Sequence, residues 1–291
     1  MTISTETMDL RGDGLRLSAD LWRPDASGNH GNKGAVLLLH GGGQTRHSWQ
    51  RTGRRLAEHG WRAYTIDARG HGDSEWAADG DYSPDAHARD IRAVADSLGE
   101  SPVLVGASMG GLASLVTAGE DPGLVRALVL VDITPRAELE GISRITEFMR
   151  AGLDGFDSLD DALEAVIAYN PNRRRPPRKD GLRKNLRHRG GRWYWHWDPR
   201  LLSDREKLIA AEIAREERAR AAARAVTVPT LLIRGAQSDV VSDEGANELL
   251  DLIPGARHID VSGAGHMVSG DDNDVLSTGL IEFLEGSVLT S

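Results

Sequence analysis

The chain has 291 residues, carries a formal net charge of −9 at neutral pH and contains no cysteine. The missing cysteines exclude disulfides, a thiol nucleophile and a cysteine-ligated zinc site. The negative charge argues against a general nucleic-acid binder, and no run of eighteen apolar residues predicts a membrane span.

The first ten residues have no basic start and no apolar core, so the sequence predicts no signal peptide. With the lack of cysteine, this favours a cytoplasmic protein. The length fits one domain with a large insertion better than two independent domains.

Strand-like and helix-like segments alternate through most of the chain. Residues 2–10 and 14–22 alternate apolar and polar around a Gly-Asp-Gly turn, which predicts an edge hairpin. Continuous apolar runs, typical of strands buried on both faces, follow at 35–39, 102–105 and 128–131. Further strands of the sheet are predicted at 62–66, 230–233 and 256–261. One helix is predicted to follow the loop after residue 39 and to end near residue 59. Further helices are predicted at 84–98, 112–118, 242–252 and 272–285. This order predicts an α/β fold with a mostly parallel, doubly wound sheet of eight strands and ligands at the carboxyl ends of the strands.

The alternation of strands and helices stops between residues 135 and 225, where no apolar run typical of a buried strand occurs. Helical spacing at 157–168 and 203–225 predicts a helical cap over 135–225, inserted after the sixth strand. The main domain would then comprise 1–134 and 226–291. A basic stretch, Arg173–Arg192, is either a solvated surface or an attractor for anionic substrates.

The most informative segment is Gly106-Ala107-Ser108-Met109-Gly110-Gly111, which joins an apolar strand to a helix. A strand, G-x-S-x-G and a helix in this order predict a sharp turn that exposes a nucleophilic serine. Glycine suits the flanking positions because a turn this sharp leaves no space for side chains. Backbone N–H groups at the head of the helix favour a negative charge beside Ser108.

A serine hydroxyl needs a base and a group that orients the base. His266, in a Gly-rich loop after the last strand, is the predicted base. His40 and His71 also lie at strand ends, but we expect them to shape turns. Asp239, after the seventh strand, is the predicted orienting carboxylate, and Asp132, after the sixth strand, is the alternative.

Two backbone N–H groups are expected to bind an oxyanion. One belongs to Met109, after the serine, and the other to Gly42, with Gly41 as the next choice. Gln44 is expected to line the substrate pocket. Trp193 and Trp195 either pack the cap onto the main domain or form an aromatic wall of the pocket, together with Trp197 at the next alternate position.

Five segments together resemble the α/β-hydrolase superfamily, in its branch of capped serine hydrolases: esterases, cofactor-free haloperoxidase-like enzymes, C–C bond hydrolases and epoxide hydrolases. They are His40–Gly43, Asp67–Ser74, Gly106–Gly111, Gly235–Asp239 and Gly265–His266. The resemblance covers about 1–135 and 226–288 but not the cap. Epoxide hydrolases and haloalkane dehalogenases carry an aspartate at the turn, whereas this chain has Ser108, which favours acyl chemistry.

The resemblance implies a hydrolase that cleaves a small carboxylic ester or lactone through an acyl-enzyme, with no metal and no organic cofactor. A C–C bond hydrolase and a perhydrolase of the haloperoxidase type use the same residues. A small-molecule receptor with residual activity is an alternative from another class. The expected partner is a small molecule, with neither nucleic acid nor membrane, and the chain is either a monomer or a homodimer.

Overall fold

The structure is a computed structural model that describes residues 3–24, 32–170, 179–202, 205–266, 268 and 273–289, without the side chains of 205–213 and 273. Eight strands form the main sheet: β1 (Ser4–Arg11), β2 (Arg16–Arg23), β3 (Ala35–Leu39), β4 (Arg62–Ile66), β5 (Val103–Ala107), β6 (Ala127–Val131), β9 (Thr230–Gly235) and β10 (Arg257–Val261). Two further strands, β7 (Leu186–Arg189) and β8 (Arg192–Trp195), form a separate antiparallel pair.

The main sheet has the strand order β1-β2-β4-β3-β5-β6-β9-β10. The hairpin β1-β2 is antiparallel and joins β4 in the antiparallel sense, and every other pairing is parallel. Strands β3, β5 and β6 are buried along their whole length, as expected for continuous apolar runs inside a parallel sheet. The predicted α/β fold with a mostly parallel sheet of eight strands is therefore confirmed.

Nine α-helices lie in the described residues. They are α1 (Gln50–Glu58), α2 (Pro84–Leu98), α3 (Met109–Glu120), α4 (Leu139–Ala151), α5 (Leu159–Tyr169), α6 (Lys179–Leu182), α7 (Arg205–Ala225), α8 (Asp243–Leu252) and α9 (Asn273–Phe283). Short 3₁₀ turns occupy Arg46–Trp49, Arg183–Asn185 and Pro199–Leu202, and a π turn occupies Leu284–Val288.

Residues at its two ends determine where α2 begins and ends. Ser83 caps its first turn by accepting a hydrogen bond from Ala86 N–H at 3.2 Å, and Pro84 occupies the first helical position, where a missing N–H costs nothing. Gly99 ends the helix at a φ of 66°, in the left-handed region that favours glycine.

Apolar side chains on both faces of the sheet form two core clusters. One contains Leu37, Leu104 and Leu128 with residues of α2, α3, α7 and α8. The other contains Val36, Val105 and Val129 with residues of α1 and α9. Alternate residues of the same strands therefore point into opposite layers, which fixes the register of each strand.

Residues 135–225 hold α4 to α7. Of these, α5 and α7 overlap the two helices predicted from the sequence, whereas α4, α6 and the hairpin β7-β8 were not predicted. A third cluster, which includes Met149, Phe156 and Trp195, packs this region. The end of α7 contacts α3 so closely that a side chain at Gly119 would lie 2.2 Å from Ala222 O. The last turns of α7 thus pack into the main core. Within the described residues, no helix is both long and apolar enough to cross a bilayer.

Candidate active site

Ser108 lies in the sharp turn between β5 and α3. Its backbone has φ 46° and ψ −114°, a conformation that a side-chain-bearing residue rarely adopts. The turn is held from both sides, because Ser108 N–H donates to Val131 O at 3.1 Å and Leu112 N–H donates to Ser108 O at 2.9 Å. Strained backbone of this kind persists where neighbours enforce it, and it is concentrated at functional sites.

The close approach of backbone atoms around the turn explains why residues 106 and 110 are glycines. A Cβ at Gly106 would lie 2.4 Å from Gly110 O, and one at Gly110 would lie 2.7 Å from Leu39 O. Both neighbours are backbone atoms that cannot move without disturbing the sheet or helix. The geometry matches the predicted turn.

His266 follows β10 and contacts a carboxylate at the end of β6. Its Nδ1 lies 2.7 Å from Asp132 Oδ2, with 8% of the histidine side chain and 1% of the aspartate side chain exposed. Gly235 N–H donates to Asp132 Oδ1 at 2.8 Å, and Ser238 Oγ donates to Oδ2 at 2.5 Å. The carboxylate is therefore held by three hydrogen bonds and can fix both the orientation and the tautomer of the imidazole.

The structure corrects the predicted partner of the histidine, because Asp239 does not contact His266. Its carboxylate pairs instead with Arg144 of α4 at 2.7 Å, and its side chain is 31% exposed. The loop after β9 directs Ser238 inward, where its hydroxyl also accepts hydrogen bonds from the N–H groups of Val240 and Val241. The alternative named from the sequence, Asp132, takes the position beside the imidazole.

Backbone geometry separates Ser108 and Asp132 from the rest of the described chain. They are the only described non-glycine residues with positive φ, at 46° and 51°. A sequence gives no direct sign of such a conformation at a serine or an aspartate.

The loop after β3 provides the candidate oxyanion donors. Gly41 N–H is already used, since it donates to Gln44 Oε1 at 3.1 Å, while Gln44 N–H returns a bond to Gly41 O. Within the described residues, neither Gly42 N–H nor Met109 N–H donates a hydrogen bond to the protein. Both residues line the cavity that contains Ser108. The loop thus favours Gly42 over Gly41 as the second donor.

Two buried histidines, His40 and His71, hold the loop after β3 through hydrogen bonds between their rings and the backbone. His40 accepts from Ala68 N–H through Nε2 at 3.0 Å, and its Nδ1 lies 2.8 Å from Gly41 O. His71 accepts from Gly43 N–H through Nε2 at 3.2 Å. Burial lowers the pKa of His40 to about 4 and that of His71 to about 3. Both rings are therefore neutral near pH 7 and serve as fixed supports for turns, as expected.

A cavity of about 340 Å³ opens above the turn and is lined by Ser108, His266, Gly41, Gln44 and Met109. Ser108 Oγ and His266 are not hydrogen-bonded to each other here, and such bonds often tighten only when substrate binds. Most of the wall is apolar and includes Leu112, Ile133, Ile142, Ile145 and Val240.

A second cavity of about 400 Å³ adjoins the first along the loop after β3. Trp195 and Trp197 stack at 4.9 Å and line it, together with Gln44. Trp193, expected in the pocket, lines neither of these two cavities. Its ring contacts His188, and its backbone pairs with Phe156. The aromatic wall therefore includes Trp195 but not Trp193.

Sequence reasoning missed the inward position of Ser238 and a cavity-lining histidine, His87 of α2. Ser238 lies one residue before the predicted acid, so the loop had been located but its inward residue had not. Among the described residues, no group of three histidine, aspartate or glutamate side chains is arranged to hold a metal ion.

Comparison with known proteins settles the family. The model of the alpha/beta hydrolase fold matches residues 34–272, most of the chain. The chain belongs to the α/β-hydrolase fold family.

Relatives and solved structures agree with this membership. This α/β-hydrolase is 33% identical to esterase Rv0045c of Mycobacterium tuberculosis, covering 88% of this chain and 83% of the relative. It is 30% identical to the mouse sn-1-specific diacylglycerol lipase ABHD11, covering 96% and 88%. The crystal structure of E-2-(acetamidomethylene)succinate hydrolase superimposes with a TM-score of 0.81 at 23% identity, covering 97% and 100%, a likeness of fold.

The resemblance derived from the sequence motifs is therefore confirmed. With an esterase and a lipase among the relatives of this α/β-hydrolase, the predicted enzyme class, a hydrolase acting on carboxylic ester bonds, is confirmed as well.

Proposed function

We propose that the protein hydrolyses small carboxylic esters through an acyl-enzyme on Ser108, with His266 as the base and Asp132 as the group that orients it. One observation carries the proposal. The 2.7 Å contact between His266 Nδ1 and Asp132 occurs beside a serine held in a strained turn of the same cavity.

The tautomer of His266 follows from its partner. A carboxylate only accepts hydrogen bonds, so Nδ1 carries the proton and Nε2 has a free lone pair. That lone pair takes the proton from Ser108 Oγ as the oxygen attacks the ester carbonyl. The imidazolium then faces the Asp132 carboxylate, which stabilises its charge. Its Nε2–H protonates the departing alcohol, and a water molecule deprotonated by the same nitrogen releases the acid.

The N–H groups of Gly42 and Met109 are the proposed donors to the oxyanion. Each is free of a protein acceptor in the described residues. Met109 is also the first residue of α3, so the helix dipole adds to the stabilisation of negative charge. Loss of one such donor typically lowers kcat by about 10²–10³.

Ester hydrolysis is favoured over the other acyl reactions by the relatives, two of which are an esterase and a lipase. The mostly apolar cavity of about 340 Å³ suits a short acyl chain. Action on lactones, on C–C bonds or with peroxide stays a prediction.

Ser108→Ala tests the proposal. It should lower kcat for p-nitrophenyl butyrate by about 10⁶-fold and abolish covalent labelling by a fluorophosphonate, with an unchanged melting temperature. Thr146→Val is the matched control, because it removes another hydroxyl from the same cavity, one that donates to Ile142 O. Labelling of the control should persist.

The same assay distinguishes the receptor alternative. A receptor would bind esters but show neither a burst of p-nitrophenol nor labelling of Ser108. Undiminished hydrolysis by Ser108→Ala would refute the mechanism.

A further inference from the structure

We propose that the second cavity binds one arm of the substrate, an apolar segment that ends in a carboxylate, so that the preferred substrates are anionic esters. This inference rests on the proposed ester hydrolysis at Ser108 and names the chemical class of its substrate.

The two cavities meet at the loop after β3. Gly42, Gln44, Ile145 and Tyr169 line both of them, whereas Ser108 and His266 line only the first. A longer arm of an ester bound at Ser108, with its carbonyl oxygen near Gly42, can therefore extend past Gly42 into the second cavity.

The second cavity is apolar on one side. Phe148, Met149, Trp195 and Trp197 supply this surface. The stacked indoles can cover a short aliphatic chain or a ring, and each such contact removes apolar surface from water. The arm next to the ester is thus apolar.

Another part of the lining carries positive charge. Arg51 of α1 and Lys184 of the 3₁₀ turn Arg183–Asn185 are exposed lining residues, and no carboxylate is among the described residues of the lining. Neither cation forms an ion pair within the described chain. Polar side chains beside them, Ser48 and Asn185, add hydrogen-bonding groups.

Lys184 differs from its neighbours in the basic stretch. The other described cations have partners: Lys179 pairs with Asp160, Arg183 lies over Trp193, Arg187 pairs with Asp73, Arg189 lies over Tyr194 and Arg192 pairs with Asp157. A solvated surface explains a stretch of basic residues in general. It does not explain why Lys184, the one described cation of this stretch without a partner, is also the one that lines the second cavity.

His47 also lines the second cavity. Burial lowers its pKa, and the positive charges of Arg46 and Lys184 lower it further. His47 is therefore neutral near pH 7, and an anion in the cavity meets the two charges of Arg51 and Lys184.

Two pairs of esters test the inference, with hydrolysis followed by the absorbance of the released p-nitrophenol for the first pair and by ultraviolet absorbance for the second. Mono-p-nitrophenyl glutarate against p-nitrophenyl pentanoate places the anion on the acyl arm, and 3-acetoxybenzoate against phenyl acetate places it on the leaving group. The wild-type enzyme should prefer the anionic member of one pair in kcat/KM by about tenfold or more, and the preference should fall at high salt. The pair that shows the preference identifies the arm that enters the second cavity.

The double variant Arg51→Gln/Lys184→Gln should remove this preference. Its matched control is Arg54→Gln/Lys179→Gln, which makes the same change in net charge on neighbouring segments, at residues paired with Glu58 and Asp160. The control should keep the wild-type ratio of anionic to neutral kcat/KM. No anionic preference in the wild type, or the same loss in both double variants, would overturn the proposal.

A binding measurement keeps this result separate from the proposed chemistry. Ser108→Ala is titrated with amide analogues of the ester pair that shows the preference, either glutaramate and pentanamide or 3-acetamidobenzoate and acetanilide. It should bind the anionic member more tightly than the neutral one, and the added Arg51→Gln/Lys184→Gln substitutions should remove the difference. If Ser108→Ala still hydrolysed esters, the mechanism would fail while the anion site could still be judged from binding. Equal affinities in Ser108→Ala would refute the anion site and leave the mechanism intact.

Discussion

Exchange of a single carboxylate for an amide at two positions tests the most specific feature of the proposed mechanism. Asp132→Asn keeps the shape of a side chain that accepts from Gly235 N–H, Ser238 Oγ and His266 Nδ1 at 2.8, 2.5 and 2.7 Å. Asp239→Asn keeps the shape of a side chain whose partner is Arg144. Both variants lose one carboxylate charge beside the cavity loops, but only Asp132→Asn changes a group that contacts His266.

The size of the Asp132 effect follows from its hydrogen bonds. An amide has one accepting atom, so when its oxygen stays on Gly235 N–H, its NH₂ group faces His266 Nδ1. Nδ1 must then lose its proton, and Nε2 becomes a donor that cannot take a proton from Ser108. The opposite amide orientation instead sets NH₂ against Gly235 N–H. That donor–donor contact disfavours the opposite orientation, so the first arrangement should predominate. Its wrong tautomer should lower kcat by about 10³–10⁴, with a small change in KM.

Asp239→Asn removes an ion pair in which the arginine side chain is 55% exposed. Exposed pairs contribute about 0–1 kcal/mol, so kcat/KM should change by no more than about fivefold. Steady-state hydrolysis of p-nitrophenyl butyrate, with melting temperatures to show intact folds, measures both variants. Near-wild-type kcat in Asp132→Asn, together with a large loss in Asp239→Asn, would refute the assignment and restore the one first derived from the sequence.

Ser238→Ala removes one of the three hydrogen bonds to Asp132 and should lower kcat about tenfold. Its control is Ser242→Ala, which removes the N-cap of α8; this variant should lose about 1 kcal/mol of stability and keep its kcat. Gly106→Ala places a methyl group 2.4 Å from Gly110 O and should prevent folding. Soluble expression and circular dichroism measure this effect, and a melting curve like that of the wild type would contradict the packing argument. Acid should destabilise the fold, because burial keeps the pKa of His40, His71 and His87 in the folded protein at about 4, 3 and 3, well below the value of about 6.5 in the unfolded chain. Between pH 6.5 and 5 the imidazoles of the unfolded chain are protonated while the buried ones are not, so each histidine lowers the free energy of unfolding by about 2 kcal/mol. A melting temperature that stays constant over this pH range would contradict the prediction.

The sheet and the serine turn could be predicted because their causes are local. A run such as Ala35–Leu39 has one stable environment, the inside of a parallel sheet, and the glycines around Ser108 are required by backbone contacts a few residues away. The hairpin β7-β8 was missed because its strands have four residues each, and Arg192–Trp195 does not alternate apolar and polar.

The acid could not be chosen from sequence alone. Asp132 and Asp239 both follow buried strands at the same edge of the sheet. The choice depends on which residue of the loop after β9 turns inward, and Ser238 does so while Arg144 holds Asp239 outside. Arg144 lies almost a hundred residues away in the chain, so its contribution is visible only in three dimensions.

Strand register explains why the acid position lies on β6. Ala107 pairs with Val131 in the ladder between β5 and β6, so Ser108 and Asp132 each lie one residue beyond the last paired position. Neighbouring strands are about 4.8 Å apart, which one imidazole can bridge. An acid on β9 would begin one strand further from the serine.

Hydrogen bonds to the neighbouring strand hold each of the two strained residues in place. Ser108 N–H is bonded to Val131 O, and Asp132 N–H is bonded to Ile233 O at 2.8 Å on the next strand. The positions of the proposed acid, base and nucleophile therefore depend on β5, β6 and β9 and on the loops that follow the sheet strands. Residues 135–225 contribute walls to both cavities but none of these three groups, so substitutions there can change the substrate without moving the proposed chemistry.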